Sequence, residues 1–183
     1  MELIKLNSHS KLVKSLLVIV LGSIALTISA KIKIPFYPVP MTMQTFVVLL
    51  LGVSFSYKIG LSAVGLYLLE GIAGLPVFSN SPERGVGLIY FTGPTMGYLI
   101  GFLSACYIAS FVKLNDGFFM VLTKLTLATS TIYIFGIIWL GTLIGWEKPI
   151  FSLGVFPFLL AELIKILLLS LLVKKFTKFR NFI

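Results

Sequence analysis

Apolar residues fill this chain in long runs, and the polar positions fall mainly between them. A helix that crosses a membrane needs about 20 apolar residues, within a range of about 17–25. Leu12–Ile32 supplies the first such run, closed by Lys31, Lys33 and the prolines Pro35, Pro38 and Pro40, which cannot continue a helix. Gln44–Pro76 is too long for one crossing and thin for two. Gly52, Ser54, Ser56, Lys58 and Gly60 cluster at its centre as a turn would, and divide it into helices at about 43–56 and 58–74. A loop rich in Gly, Ser, Asn and Pro follows, over Pro76–Pro94. Three further runs, at about 95–112, 118–144 and 152–173, complete the pattern. It predicts an all-α integral membrane protein, a single domain over 1–183 made as a bundle of six transmembrane helices.

Composition agrees with that reading. Of the 183 residues, 58% are hydrophobic and 11% charged, and the mean hydropathy is +1.06. Soluble domains average about 45–50% apolar residues, so a chain this small could not hide so much apolar surface from water. The N-terminal segment has the lysines, apolar stretch and small residue (Ala30) of a secretory leader. No soluble domain follows it, so it is read as a retained first helix.

The net charge of +9 would suggest nucleic acid in another setting. Here Lys5, Lys11 and Lys14 precede the first run, and Lys174, Lys175, Lys178 and Arg180 follow the last. Basic residues that bracket apolar segments mark cytoplasmic flanks and attract anionic lipid. With six crossings, nine basic residues lie on one side, Lys58 and Lys113 included, against Lys31, Lys33, Arg84 and Lys148 on the other. Both termini are therefore expected in the cytoplasm. The partner implied is the lipid bilayer, not nucleic acid.

Enzyme chemistry finds little support. The single histidine, His9, lies in the polar tail, and the single cysteine, Cys106, lies in an apolar run where packing explains it. No HExxH, paired intramembrane acids or GxxxxGK[ST] is present, which leaves no catalytic or metal site and no nucleotide cofactor on this chain. The chemistry sits elsewhere. Glu162 and Lys165 interrupt the last apolar run, where a charge costs at least about 2.5–3.5 kcal/mol and is usually kept for binding or transport. Three positions apart, they project from one helical face. A purely structural ion pair is the alternative.

Gln44, Asn80 and Arg84 fall at the outer ends of the neighbouring segments, so the geometry allows an outward-facing pocket floored by Glu162 and Lys165. Tyr67, Phe36, Tyr37, Phe78, Tyr90, Phe91 and Trp139 are available as walls, as ligand sites are mostly apolar. Glu70 has no assigned role. On the first helix, Ser23 and Thr27, and Ala25 and Ser29, are four apart. Such small-residue faces serve either internal packing or docking onto another membrane subunit.

Several segments resemble one family. PVPMTMQTFVVLLLG, GLYLLEGIAGLPVFSN, TGPTMGYLIGF, YIFGIIWL and FPFLLAELIK are similar, in order, to segments of the biotin-transport S components, the BioY family of energy-coupling factor importers. The match covers roughly Pro38–Ile166. The resemblance implies a six-helix fold and capture of biotin at the outer face of a prokaryotic plasma membrane. It also implies delivery through a transmembrane T subunit driven by two ATPase subunits, which would bind the ATP. By position it makes Gln44, Asn80, Glu162 and Lys165 the biotin contacts and puts Gly93–Thr95 in a lid. In chemical terms Glu162 would accept from a ureido N–H, Lys165 would donate to the ureido carbonyl, and Asn80 or Arg84 would hold the carboxylate. The family's Asp–Gly pair is Glu162 and Ala161 here, Met96 stands for a usual Gly, and Glu70 for an apolar residue. Another vitamin as ligand, a self-sufficient carrier and, remotely, an intramembrane enzyme remain open readings of the same residues.

Overall fold

The structure is a computed structural model that describes residues 2–182, with side chains described for 11–180. Lys5 and His9 of the polar tail lie outside the described side chains. Helix α1 runs over Glu2–Lys31 and α2 over Gln44–Ser54. They are followed by α3 (Tyr57–Ile72), α4 (Leu88–Phe91), α5 (Met96–Ala109), α6 (Phe118–Ile144), α7 (Ile150–Gly154) and α8 (Leu159–Phe176). Two-residue strands β1 (Lys33–Ile34) and β2 (Met41–Thr42) pair antiparallel between α1 and α2, with Lys33 opposite Thr42.

Among the described residues, three stretches are long and apolar enough to cross a membrane: Lys11–Lys31, Phe118–Ile144 and Ile150–Arg180. The six helices of eleven residues or more overlap the six predicted segments, with three differences. The first helix starts at Glu2, ten residues before the predicted span. The short α4 interrupts what was predicted as a plain loop. The last span, predicted as continuous over 152–173, is broken: α7 ends at Gly154, Val155 leaves the helical region, and a 3-10 turn at Phe156–Phe158 leads into α8. Pro157 lacks the N–H that a continuous helix needs and crowds the preceding turn.

Successive long helices alternate in direction. At one end of the bundle, Arg180 Nε donates to Val53 O at 2.9 Å and its Nη2 to Gly52 O and Ser110 O at 3.2 and 2.8 Å. These carbonyls end α2 and α5, where acceptors lack partners within the helix. Tyr57, opening α3, meets Tyr107 of α5 edge-on at the same end. At the opposite end, Lys31 Nζ donates to Phe78 O and Ser81 O, and Tyr98 OH on α5 donates to Gly154 O at 2.9 Å.

The most extensive packing is between α5 and α6. A Cβ on Gly101 would lie 2.6 Å from Ile132 Cα, so only glycine permits this approach. That contact aligns Tyr98 and Phe102 of α5 with Ile132 and Tyr133 of α6. Outside, Leu16, Leu17 and Leu21 of α1 and Leu160, Ile164 and Leu171 of α8 stand exposed. A lipid surround removes the cost that water would impose on them.

Candidate functional site: a polar pair beneath a capped cavity

The break at Pro157 places Glu162 in the first turn of α8, where the positive end of the helix dipole favours an anion. Its neighbours complete the stabilisation. Glu162 Oε1 accepts from Thr45 Oγ1 and from Lys165 Nζ, each at 2.8 Å. Lys165 Nζ also donates to Thr42 O at 2.6 Å and Thr45 Oγ1 at 2.9 Å. The pair is 5% and 6% exposed, so each charge depends on these bonds. Glu162 Oε2 is buried and has no hydrogen-bond partner among the described residues.

Gln44 opens α2 beside them. Its Nε2 donates to Tyr67 OH at 2.6 Å, and Tyr67 OH points on toward Val77 O. With the amide nitrogen so held, the amide oxygen faces Thr42. Tyr67, read from the sequence as a wall, is fully buried and borders no cavity near Glu162. It orients Gln44 instead.

Above this floor lies a cavity of about 530 Å³, counting the space at its mouth. It is bordered by Thr42, Gln44, Thr45 and Glu162 below, and by Ser79, Tyr90, Thr95, Tyr98, Phe102, Tyr133 and Phe158 around. Tyr90 and Thr95 also border a neighbouring recess of about 250 Å³ lined by Asn80, Arg84, Gly93 and Pro94. The structure thus brings Gln44 and Glu162 to one cavity, and Asn80, Arg84 and Gly93 to the recess beside it. Lys165 backs Glu162 and does not border either space.

Two loops close over the mouth. Lys33 Nζ donates to Ser79 O and Asn80 Oδ1 at 2.6 and 2.8 Å. Arg84 Nη1 donates to Pro38 O at 2.9 Å, and its guanidinium lies 5.5 Å over the Tyr37 ring. Trp139 Nε1 on α6 donates to Gly93 O at 2.8 Å. Of the seven aromatic residues expected as walls, Tyr90 borders the cavity, stacked on Phe78 at 4.5 Å. Tyr98, Phe102, Tyr133 and Phe158 went unnoticed in the sequence, where aromatic residues in apolar helices read as packing.

The small residues of α1 divide by face. Ser23 and Ser29 are buried, Ser23 donating to Glu70 Oε2 on α3 and Ser29 to Leu26 O. Those two serve internal packing and are not available to a partner, while Ala25 and Thr27 are half-buried. Glu70, without a role from sequence, is the acceptor that joins α3 to α1.

A helical membrane-type bundle with an apolar-walled cavity over a polar floor at one end suits the capture of a small solute, and comparison with known proteins gives the family. The BioY family model matches residues 4–182. A Pyrococcus horikoshii protein named "Probable biotin transporter BioY" is 36% identical over 143 residues, 78% of this chain and 83% of its own length. The Thermotoga maritima "Biotin transporter BioY" is 34% identical over 154 residues, covering 84% of this chain and 89% of its own. In fold, the chain is similar to a crystal structure of the S-component for biotin from an ECF-type ABC transporter. The TM-score is 0.77 at 24% identity, over 92% of this chain and 93% of that one. The chain belongs to the BioY family, a family of transporters rather than enzymes.

Proposed function

We propose that this protein captures biotin from outside the cell and hands it to an energy-coupling module. The observation that carries the reading is the free Oε2 of Glu162, a buried acceptor held at the floor of a largely apolar cavity. Biotin's cyclic urea offers N–H groups to such an acceptor, and its bicyclic body suits the ring of Tyr98, Phe102 and Phe158. Its carboxylate would reach the recess, where the Asn80 amide NH₂ and the Arg84 guanidinium supply donors. The names of the relatives favour biotin over another vitamin.

In this reading all six long helices cross the plasma membrane of a prokaryotic cell. Both termini face the cytoplasm, because the bundle end that holds Arg180 also carries Lys58, Lys113, Lys174, Lys175 and Lys178. The cavity mouth, at the opposite end, then faces outward. The chain has no nucleotide-binding motif, so ATP would act through partners: a transmembrane T subunit and two ATPase subunits, with no cofactor on this chain. The half-buried Ala25 and Thr27 and the exposed apolar side of α1 are the surface available to the T subunit.

Biotin uptake into proteoliposomes tests this directly. Uptake is expected with the chain, T subunit, ATPases and ATP together, and only binding with the chain alone. Sustained uptake by the chain alone would replace the coupled reading with a self-sufficient carrier.

A further inference from the structure

At the end of the bundle away from the cavity, the last residues of α2 and α5 meet the C-terminal turn around one side chain. A guanidinium carries five N–H groups in a rigid fork. Three of those on Arg180 go to carbonyls: Nε to Val53 O, and Nη2 to Gly52 O and Ser110 O. The two on Nη1 have no hydrogen-bond partner among the described residues. The fork is held in place with one nitrogen unspent.

Two exposed lysines lie close to those carbonyls along the chain. Lys58 is five positions beyond Val53, and Lys113 is three beyond Ser110. Neither pairs with a carboxylate among the described residues. Asp116 is the one acidic side chain described at this end. Its Oδ2 already accepts from Lys124 Nζ at 2.6 Å and from Lys113 N–H at 2.8 Å. The cluster therefore keeps an excess of positive charge. The same end carries a shelf of rings: Tyr57, Tyr107 and Phe111 are exposed and meet edge-on in series, at 5.9 and 5.0 Å. Tyr57 directly precedes Lys58, and Phe111 lies two positions before Lys113. Exposed aromatic rings settle at the level of lipid headgroups. A fixed guanidinium with free donors suits a phosphate. The rings beside it suit a phosphate that carries acyl chains, and offer nothing to a soluble anion.

We propose that Arg180, Lys58 and Lys113 hold the phosphate of one anionic phospholipid against the Tyr57–Tyr107–Phe111 shelf. With the orientation proposed above, that lipid belongs to the cytoplasmic leaflet. This differs from the general attraction of basic flanks for anionic membranes. It is one site, filled by one lipid, built on a guanidinium that backbone carbonyls hold rigid. It does not depend on which ligand fills the cavity at the opposite end.

Native mass spectrometry of the detergent-purified full chain tests the site, with phosphatidylglycerol and phosphatidylcholine of the same acyl chains as probes. Each basic residue near an anionic headgroup contributes about fivefold in affinity. The first phosphatidylglycerol should therefore bind at least about thirtyfold more tightly than phosphatidylcholine. In Lys58→Gln/Lys113→Gln that preference should fall at least about tenfold. Lys174→Gln/Lys175→Gln removes the same charge at the same end, from exposed positions outside the cluster, and should change the preference less than about threefold. Arg180→Gln should lose the preference as well; if it fails to fold, the two lysine pairs decide. Glycerol phosphate in large excess should not displace the lipid. Equal binding of the two lipids, equal losses in the two lysine pairs, or displacement by glycerol phosphate each overturns the proposal. Equal losses would mean a diffuse basic rim, and displacement a site for soluble phosphate. All three outcomes leave the biotin reading intact, since biotin titration decides that separately.

Discussion

Lys165 on α8 and Thr42 at the end of β2 lie 123 positions apart and are joined by a 2.6 Å bond from Nζ to the backbone oxygen. That bond ties the last long helix to the hairpin ahead of α2, and the same ammonium neutralises Glu162 at 2.8 Å. One side chain therefore sets both the backbone and the charge at the cavity floor. Replacing Lys165 by Met leaves a buried carboxylate without its counter-charge, which costs about 3–5 kcal/mol when one partner of such a pair is removed. The thermal unfolding midpoint in detergent should fall sharply for Lys165→Met and recover in part for Glu162→Gln/Lys165→Met. A single variant as stable as the parent would show that the pair is not a stabilising unit.

The α5–α6 approach makes a second prediction. Gly101→Val puts a branched side chain against Ile132, whose Cα lies only 2.6 Å from the place a Cβ would take. Separating the helices displaces Phe102 and Ile132 from the cavity wall, so ligand affinity should drop at least about tenfold, as overpacking typically costs about 1–3 kcal/mol. Gly65→Ala is the control. Nothing lies within 4 Å of its Cβ position, and alanine in a helix should be neutral or stabilising by about 0.5–1 kcal/mol. Binding titrations of the two variants separate helix approach from glycine content as such.

Arg84 bonds Pro38 O and covers Tyr37, which fastens the 76–94 loop to the hairpin across the mouth. Arg84→Gln should raise the ligand dissociation rate about tenfold, in line with a hydrogen bond to a charged group of about 1.5–3 kcal/mol weakened by its partial exposure. Stopped-flow displacement measures that rate. An unchanged rate would mean that the loop stays closed without the guanidinium.

At the Arg180 end, burial works against ionisation of Asp116. The bonds from Lys124 Nζ at 2.6 Å and Lys113 N–H at 2.8 Å outweigh it and hold the carboxyl below its usual range. A depressed carboxyl stabilises the fold above the unfolded-state value of about 3.9 and loses that contribution as pH falls through the folded value. Asp116→Asn should therefore be less stable than the parent by about 1 kcal/mol at neutral pH, the scale of a partly exposed ion pair. The two should converge in acid. Unfolding midpoints at neutral and acidic pH give the comparison, and a constant gap would assign the effect to something other than the charge.

The sequence revealed the helices because run length and polar interruption are local signals: the Gly52–Ser56 cluster lies where α2 gives way to α3. It did not reveal the break at Val155–Phe158. There Pro157 is a single residue in an apolar run, and prolines also occur in continuous membrane helices. Glu162 and Lys165 stood out because charge in an apolar run is costly, and Gln44 because it follows a proline-rich turn. Thr45 and Tyr133 did not, since a threonine and a tyrosine in a helix are ordinary until the third dimension puts them beside Glu162. Tyr67 was visible as one of an aromatic set, but its bond to the Gln44 amide was not, because the two residues lie 23 positions apart. Ser23 shows the same limit. Its spacing fitted a docking face, and only the position of Glu70 on α3 shows that it turns inward.

Titration of biotin into the detergent-purified chain, with thiamine and riboflavin in parallel and Glu162→Gln beside the parent, tests the account most directly. The account predicts tight one-to-one binding of biotin alone, weakened at least about thirtyfold in Glu162→Gln, as expected when a charged acceptor of a buried hydrogen bond is lost. A folded parent that ignores biotin, or a glutamine variant that binds it as tightly as the parent, would contradict the claim that the free Glu162 oxygen holds the ligand.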